Sequence, residues 1–180
     1  MTRRFRPTDA FVDESIRGQR YLLACVLVET KDLSEVRAAV RSLAAERARL
    51  HFNKELDATR RSALALFATL PVRAEIVECV RAHGMTEFLA RDACLTTLVR
   101  RLQARGVSRM TIESRQDDRD DQRVISKVRR VDSPLAFDHR MGSEEPLLWI
   151  ADAIAWAYGA GGRWATLAAP TLLEVIEARP

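Results

Sequence analysis

Asp13 is a carboxylate in the first apolar run of the chain, AFVDES over residues 10–15. If this run is a β-strand, the alternation of side chains places Asp13 on the face of Phe11 and sends Glu14 to the opposite face. An acid inside an apolar strand is costly unless it is ion-paired, hydrogen-bonded or bound to a cation. Asp13 is therefore a candidate metal ligand. The alternative is a strand-end acid that caps the turn at Gly18.

Asp152 is a second isolated acid, and it interrupts a strongly apolar segment of the sequence. It stands within LLWIADAIAWA, residues 147–157, which contains no other charge. A helix that is apolar on every side is buried, so its single acid is expected to be buried or to line a cleft. Glu145 lies two helical turns earlier and shares the face of Asp152. We interpret both as candidate metal ligands, with an ion pair to an arginine as the alternative for Asp152.

A third group of acids follows the strand that is predicted to end at Glu113. Five acids fall within residues 113–121, and in open α/β sheets the carboxyl ends of strands carry the groups that contact ligands. Asp118 and Asp121 are candidate ligands on this basis, because Mg²⁺ requires only one or two carboxylates together with water and substrate phosphate. The alternative, a solvated loop or a helix N-terminus whose dipole favours acids, applies to the other aspartates of this segment.

Basic residues near these acids are candidates for substrate contact. His51 begins a polar loop, HFNKE, and is a candidate to face the cleft. Lys54, Arg115 and Arg119 are expected to contact phosphates without reading base sequence. The three tryptophans are interpreted as core residues rather than base-stacking platforms. The sequence contains no phosphate-binding glycine loop, dinucleotide fingerprint or HExxH zinc motif.

The motif order resembles a known family. The segment FVDES at residues 11–15, an apolar second strand and Ala151-Asp152 in a late helix are similar to the "DES" and "AD" motifs of the domain-of-unknown-function 3800 proteins, which are regarded as ribonuclease H-like. The resemblance covers residues 11–158. It implies that carboxylates from strand one, the end of strand four and the last helix meet at one edge of the sheet, and by motif these are Asp13, Glu113 and Asp152. One departure is that Ile16 and Arg17 intervene before Gly18, whereas the family motif usually has a glycine soon after "DES".

The elements that must position these residues follow from the apolar patterning. Residues 10–15 and 21–28 predict a hairpin whose second strand is buried on both faces. Further strands are predicted over residues 72–80, 107–114 and 135–139. Helices are predicted over residues 33–50, 58–70, 86–104, 120–131, 143–158 and 171–178. This order predicts an α/β fold, a ribonuclease H-like mixed sheet of about five strands with an antiparallel N-terminal hairpin and helices on both faces.

Composition is typical of one globular domain. The 180 residues include 29 basic and 25 acidic side chains, a net charge of +4, and 47% are hydrophobic. We expect a single domain over residues 1–180, with a basic arm at residues 1–8 and a C-terminal extension at residues 163–180. No apolar stretch reaches the ~20 residues of a membrane span, and no signal-peptide core follows the N-terminus. Three cysteines without a CxxC pair fit a reducing compartment, so no membrane association and a cytoplasmic location are expected.

Together these features favour a metal-dependent nuclease. Carboxylates that converge from separate elements can hold two Mg²⁺ or Mn²⁺ ions, which neutralise charge on the attacking and leaving oxygens during phosphodiester hydrolysis. The expected substrate is RNA, DNA or a hybrid. The alternative is a catalytically inactive nucleic-acid- or protein-binding module on the same fold. A protein partner could then use the apolar helix at residues 146–158, and the oligomeric state is open.

Overall fold

The first two strands are the apolar runs at the start of the chain, joined by a turn at Gly18. In the computed structural model, which describes residues 5–44, 47–116 and 118–180, β1 (Asp9–Arg17) pairs antiparallel with β2 (Arg20–Val28). Almost all of β2 is buried, as expected for a strand that is covered on both faces. The predicted N-terminal hairpin is confirmed.

Further strands and helices follow in partial alternation. The remaining strands in the described part of the chain are β3 (Val72–Val80), β4 (Arg109–Glu113), β5 (Ala136–Arg140) and β6 (Leu172–Glu177). The helices described there are α1 (Leu33–Ser42), α2 (Asp57–Thr69), α3 (Glu87–Arg105), α4 (Asp118–Val128), α5 (Leu147–Ala160) and α6 (Gly162–Ala168). Short 3₁₀ turns lie at Thr30–Asp32 and Phe52–Lys54.

The strands form one mixed sheet in the order β5-β4-β1-β2-β3-β6. Strand β2 lies between β1 and β3 and is antiparallel to both. On the other side of β1, β4 is parallel to β1 and β5 is parallel to β4. The two helices α1 and α2 intervene in sequence between β2 and β3, yet β3 still pairs beside β2. The prediction of an α/β mixed sheet is confirmed, but the sheet has six strands and not about five.

The sixth strand replaces the helix that the sequence predicts at residues 171–178. This prediction is wrong, because β6 pairs in parallel with the outer edge of β3. The backbone groups along that edge supply hydrogen-bond partners that a local sequence pattern does not reveal. The helix at this end of the chain is α6, which precedes the strand.

The two faces of the sheet carry separate apolar cores. Phe11 and alternate residues of β2 and β3 pack against α1, α2, α5 and α6. Val12 and the intervening residues pack against α3 and the buried side of α4. Helices therefore cover both faces, as predicted. Within the described residues, no helix combines the length and apolarity needed to cross a bilayer.

Candidate metal centre

Three predicted site residues, Asp13, Glu113 and Asp152, meet on the α5 face of the sheet. Val12 on β1 is paired with Ile112 on the parallel strand β4. The next residues, Asp13 and Glu113, therefore lie side by side on the face of the sheet opposite to Val12 and Ile112. Helix α5 packs against β1 and brings Asp152 to the same place. Burial is nearly complete, since the exposed fraction is 8% for both Asp13 and Asp152.

The electrostatic environment of these carboxylates is one of mutual repulsion. Burial, followed by the charges of Asp152 and Glu113, raises the pKa of Asp13 well above its ordinary value. The pKa of Glu113 is also raised, mainly by burial, although the neighbouring guanidinium of Arg49 opposes this shift. Asp13 has no cationic side chain as a hydrogen-bond or ion-pair partner among the described residues. The cluster therefore concentrates negative charge where little positive charge compensates it.

Each of the three carboxylates is held through one oxygen by a backbone N–H. The amide of Glu14 donates to Asp13 Oδ1 at 2.8 Å, and that of Phe52 donates to Asp152 Oδ2 at 2.9 Å. The amide of Gly142 donates to Glu113 Oε1 at 3.2 Å.

The second oxygen of each carboxylate accepts no hydrogen bond from the described residues, and Glu113 Oε2 is fully buried in this state. Buried polar atoms are nearly always paired, so a buried Glu113 Oε2 without a donor among the described residues is unusual.

The segment between α1 and α2 covers the cluster and supplies two basic side chains. Arg49 donates to Glu113 Oε1 at 2.6 Å, and a Cβ on Gly142 would meet its guanidinium at 2.8 Å. His51 Nδ1 lies 3.4 Å from Asp152 Oδ2 but is buried without a hydrogen bond. His51 was predicted from the sequence, whereas Arg49 was not. Nothing in the local sequence distinguishes Arg49 from the other residues among the 29 basic ones.

The other predicted acids lie apart from this cluster. Asp118 and Asp121 are on the α4 face of the sheet, where they form a group with His139 whose ligand atoms all lie within 4.8 Å of one another. No other group of three such residues in the described part of the chain is that compact, so Asp13, Glu113 and Asp152 are spread more widely.

The Asp118–Asp121–His139 group is already satisfied by protein donors. Arg91 donates to both oxygens of Asp121, each at 2.6 Å, and His139 Nε2 lies 3.1 Å from Asp121 Oδ2. Although burial opposes ionisation, these contacts lower the pKa of Asp121 to about 2. Asp118 accepts from the Ser114 hydroxyl and the Arg115 amide, both at 2.7 Å. A cation at this place would have to displace Arg91.

Glu145 is the remaining predicted ligand, and it is engaged with Arg37 of α1. Three contacts between 2.7 and 3.1 Å join the two side chains. The pair lines a cavity of about 680 Å³ over β1, β4 and β5, on the same face of the sheet as the Asp13 cluster. Glu145 is therefore ion-paired, and its role as a metal ligand remains a prediction.

The predicted substrate-binding residues divide between the two faces. His51 and Lys54 lie in the segment that covers the cluster, with Lys54 exposed at the end of a 3₁₀ turn. Arg115 contacts Glu14 and Tyr21 on the α4 face, and Arg119 is exposed on α4 itself. Of these four residues, His51 lies beside Asp152.

The donor set of the cluster fits a hard divalent cation. Carboxylate oxygens are the ligands that Mg²⁺ and Mn²⁺ prefer, and the oxygens without hydrogen bonds on Asp13, Glu113 and Asp152 belong to this class. Backbone donors fix the opposite oxygen of each group, which orients the ligands in advance.

No protein-family model matches this sequence, and a search of curated proteins finds no significant match.

Proposed function

We propose that the chain is a divalent-metal-dependent nuclease of ribonuclease H-like type, with Asp13, Glu113 and Asp152 as its catalytic carboxylates. The observation that carries the proposal is the set of three carboxylates, each with one oxygen held by a backbone N–H and the other without a hydrogen bond from the described residues. Acids held in this way without a matching set of cations are costly to fold. Binding of a cation by this cluster gives a reason for that cost.

The strand order supports the same proposal. The five strands β5-β4-β1-β2-β3 place β1 at the centre, with antiparallel neighbours on one side and parallel strands on the other. The resemblance noted above implies acids on strand one, at the end of strand four and on the last helix. Asp13, Glu113 and Asp152 occupy β1, the end of β4 and α5. The α1–α2 insertion and β6 are additions to that arrangement.

Mg²⁺ or Mn²⁺ is the proposed cofactor, and Asp13, Glu113 and Asp152 would hold it. When bound, a pair of such ions neutralises charge on the attacking and leaving oxygens of a phosphodiester. The proposed substrate is RNA, DNA or a hybrid, because each presents this bond.

The protein itself contributes orientation and charge. The amides of Glu14, Phe52 and Gly142 fix the three carboxylates, so little rearrangement is needed when the ligands are engaged. Arg49 neutralises part of the charge of Glu113 at 2.6 Å and lies where it can also contact an anionic substrate. His51 is 42% exposed beside Asp152, a position from which it can bind a phosphate oxygen.

Cleavage of labelled single-stranded RNA, single-stranded DNA and hybrid in Mg²⁺ or Mn²⁺ tests the proposal. Asp13→Asn should reduce the rate by at least about 100-fold, because removal of a charge-stabilising group at a reacting centre costs about 10²–10³ in rate. Glu14→Gln is the matched control, since this neighbour points to the opposite face and contacts Arg91 and Arg115. We expect Glu14→Gln to retain most of the activity, after its folded fraction has been checked by thermal unfolding.

Two results would count against the proposal. Full activity of Asp13→Asn alongside an active wild type would remove Asp13 from the site. A wild type that cleaves none of the substrates in either metal, but binds them, would instead support the inactive nucleic-acid-binding module.

A further inference from the structure

Arg17, at the end of β1, has no acidic partner among the described residues. It lies four residues beyond Asp13, so alternation places both side chains on the same face of the strand. Its Nε is buried and has no hydrogen-bond partner among the described residues. Most other arginines on this face, such as Arg37, have a carboxylate partner. An arginine that lies on the same face of β1 as Asp13 and has no acceptor for its Nε among the described residues requires an explanation.

The position of Arg17 is fixed by α5, the helix that carries Asp152. The guanidinium lies 5.4 Å from the ring centroid of Trp156, one helical turn beyond Asp152. Its stem crosses α5 at Gly159, where a Cβ would meet Arg17 Cγ at 2.8 Å. A cation over an indole face is stabilised without losing its charge. Glycine at this position and tryptophan one turn earlier therefore hold a charged group in place.

Trp156 also connects Arg17 to the segment that covers the metal centre. Its Nε1 donates to Asn53 Oδ1 at 3.1 Å, and its ring packs edge-on against Phe52 at 5.4 Å. The amide of Phe52 holds Asp152. Trp156 is partly buried and packs against the apolar core of this face, in agreement with its interpretation as a core residue. Arg17 is thus built into the same assembly as the carboxylates.

We propose that Arg17, positioned by Trp156, is a phosphate-binding subsite for a single nucleic-acid strand whose scissile bond lies at Asp13. This inference rests on the proposed function, and it adds the substrate contact. Arginine binds phosphate through paired N–H donors, and no carboxylate of the described residues competes for those of Arg17. Four residues of β-strand span ~13 Å, and a stacked strand rises ~3.4 Å per nucleotide. Arg17 therefore contacts a phosphate up to about four nucleotides from the bond that is cleaved.

The proposed contact between Arg17 and a phosphate predicts two measurable effects on binding. Loss of one phosphate contact lowers the slope of log affinity against log salt by about 0.7 for a single strand. The loss also applies only to strands that are long enough to reach Arg17. A labelled trinucleotide bound at the metal centre is too short, whereas a strand of about twelve nucleotides spans both positions. A purely structural role for Arg17 would change neither the salt slope nor the dependence on length.

The test measures binding of both labelled DNA strands in millimolar Ca²⁺ across a salt series. Arg17→Met keeps the stem and removes the charge, and Arg17→Lys restores charge if the first variant folds poorly. Arg100→Met is the matched control, because it removes the same charge from an exposed position on α3, on the other side of the sheet. We expect Arg17→Met to weaken binding of the long strand about fivefold or more and to lower its salt slope. Trinucleotide binding and Arg100→Met should stay near wild type, and Arg17→Lys should keep the wild-type salt slope because it retains the charge.

The outcomes separate this inference from the nuclease proposal. Equal affinities and salt slopes for Arg17→Met and Arg100→Met overturn the subsite, even if wild type cleaves. Selective loss in Arg17→Met supports the subsite, even if wild type proves unable to cleave. A wild type that binds neither strand at low salt overturns the subsite as well.

Discussion

The same substitution, aspartate to asparagine, should change stability in opposite directions at Asp13 and at Asp121. Both side chains are buried, at 8% and 2% exposure, but on opposite faces of the sheet. Asp121 is held by Arg91 and His139, whereas Asp13 faces Asp152 and Glu113. The comparison therefore isolates the electrostatic difference between the two acidic groups.

The magnitude at Asp121 follows from its pKa. Burial opposes the shift, but the contacts with Arg91 and His139 lower the pKa from 3.8 to about 2. At about 1.4 kcal/mol per pKa unit, this corresponds to about 2 kcal/mol. Because the folded-state pKa is the lower one, the stabilisation is present above pH 3.8 and is lost as the pH falls through 2. Asp121→Asn should therefore lower the free energy of unfolding by about 2 kcal/mol at pH 7, or about 4–8 °C in thermal midpoint.

The sign at Asp13 is reversed. Burial and the neighbouring carboxylates raise its pKa in the folded state, so the metal-free folded protein binds the proton more tightly than the unfolded chain does. Stability is then lost as the pH rises from 3.8 towards the folded pKa, with a slope of up to about 1.4 kcal/mol per pH unit. Asp13→Asn removes this loss and should stabilise the metal-free protein at pH 7. The gain should shrink as the pH approaches 4.

Urea unfolding followed by tryptophan fluorescence in EDTA measures both variants. For Asp121→Asn, the deficit in unfolding free energy should be similar at pH 7 and pH 5 and about half as large at pH 3. For Asp13→Asn, the gain should be largest at pH 7. If both variants are destabilised at pH 7 by the same amount, or if neither effect depends on pH, the assignment of one satisfied and one unsatisfied acidic group is wrong.

Three further predictions concern the metal and the substrate. Mn²⁺ at 100 times its Kd should raise the free energy of unfolding by about 2.7 kcal/mol, or the thermal midpoint by about 5–11 °C. Asp152→Asn should abolish most of this rise. A wild-type thermal midpoint that does not change with Mn²⁺ would contradict the prediction. Arg49→Met should lower the thermal midpoint in EDTA, because Glu113 loses its ion pair with Arg49. The same variant should show a larger increase in thermal midpoint with Mn²⁺ than wild type does. A smaller increase in calorimetric scans would refute this prediction. Affinity for single-stranded DNA should fall steeply between 50 and 200 mM salt, and equal fluorescence anisotropy at both would favour a protein-binding role.

Local patterns predicted those parts of the fold that depend on neighbouring residues. The alternation in β1 predicted that Asp13 and Glu14 face opposite ways, and their contacts follow that prediction, with Glu14 on Arg91 and Asp13 facing Asp152. The apolar surroundings of Asp152 predicted its burial. The hairpin and β3 were predicted for the same reason, because each is a short run of apolar or alternating residues.

Features that depend on contacts distant in sequence were not predicted. The strand β6 forms because the edge of β3 is available, and the leucine-rich sequence of this segment is equally compatible with a helix. Arg49 reaches Glu113 across 64 residues, and Arg91 reaches Asp121 across 30. The acid-rich pattern at residues 113–121 therefore did not reveal that Asp121 has a buried arginine partner while Glu113 retains a free oxygen.

Asp13, Glu113 and Asp152 are the residues that we propose to form the metal centre. The most direct test of this proposal is a crystal structure of the wild type soaked in Mn²⁺, with data collected at the manganese absorption edge. We expect anomalous density within about 2.0–2.4 Å of carboxylate oxygens of Asp13, Glu113 and Asp152, and none at this place in Asp13→Asn. Manganese bound only at Asp118, Asp121 and His139, with the Asp13 cluster empty at saturating metal, would contradict the proposal.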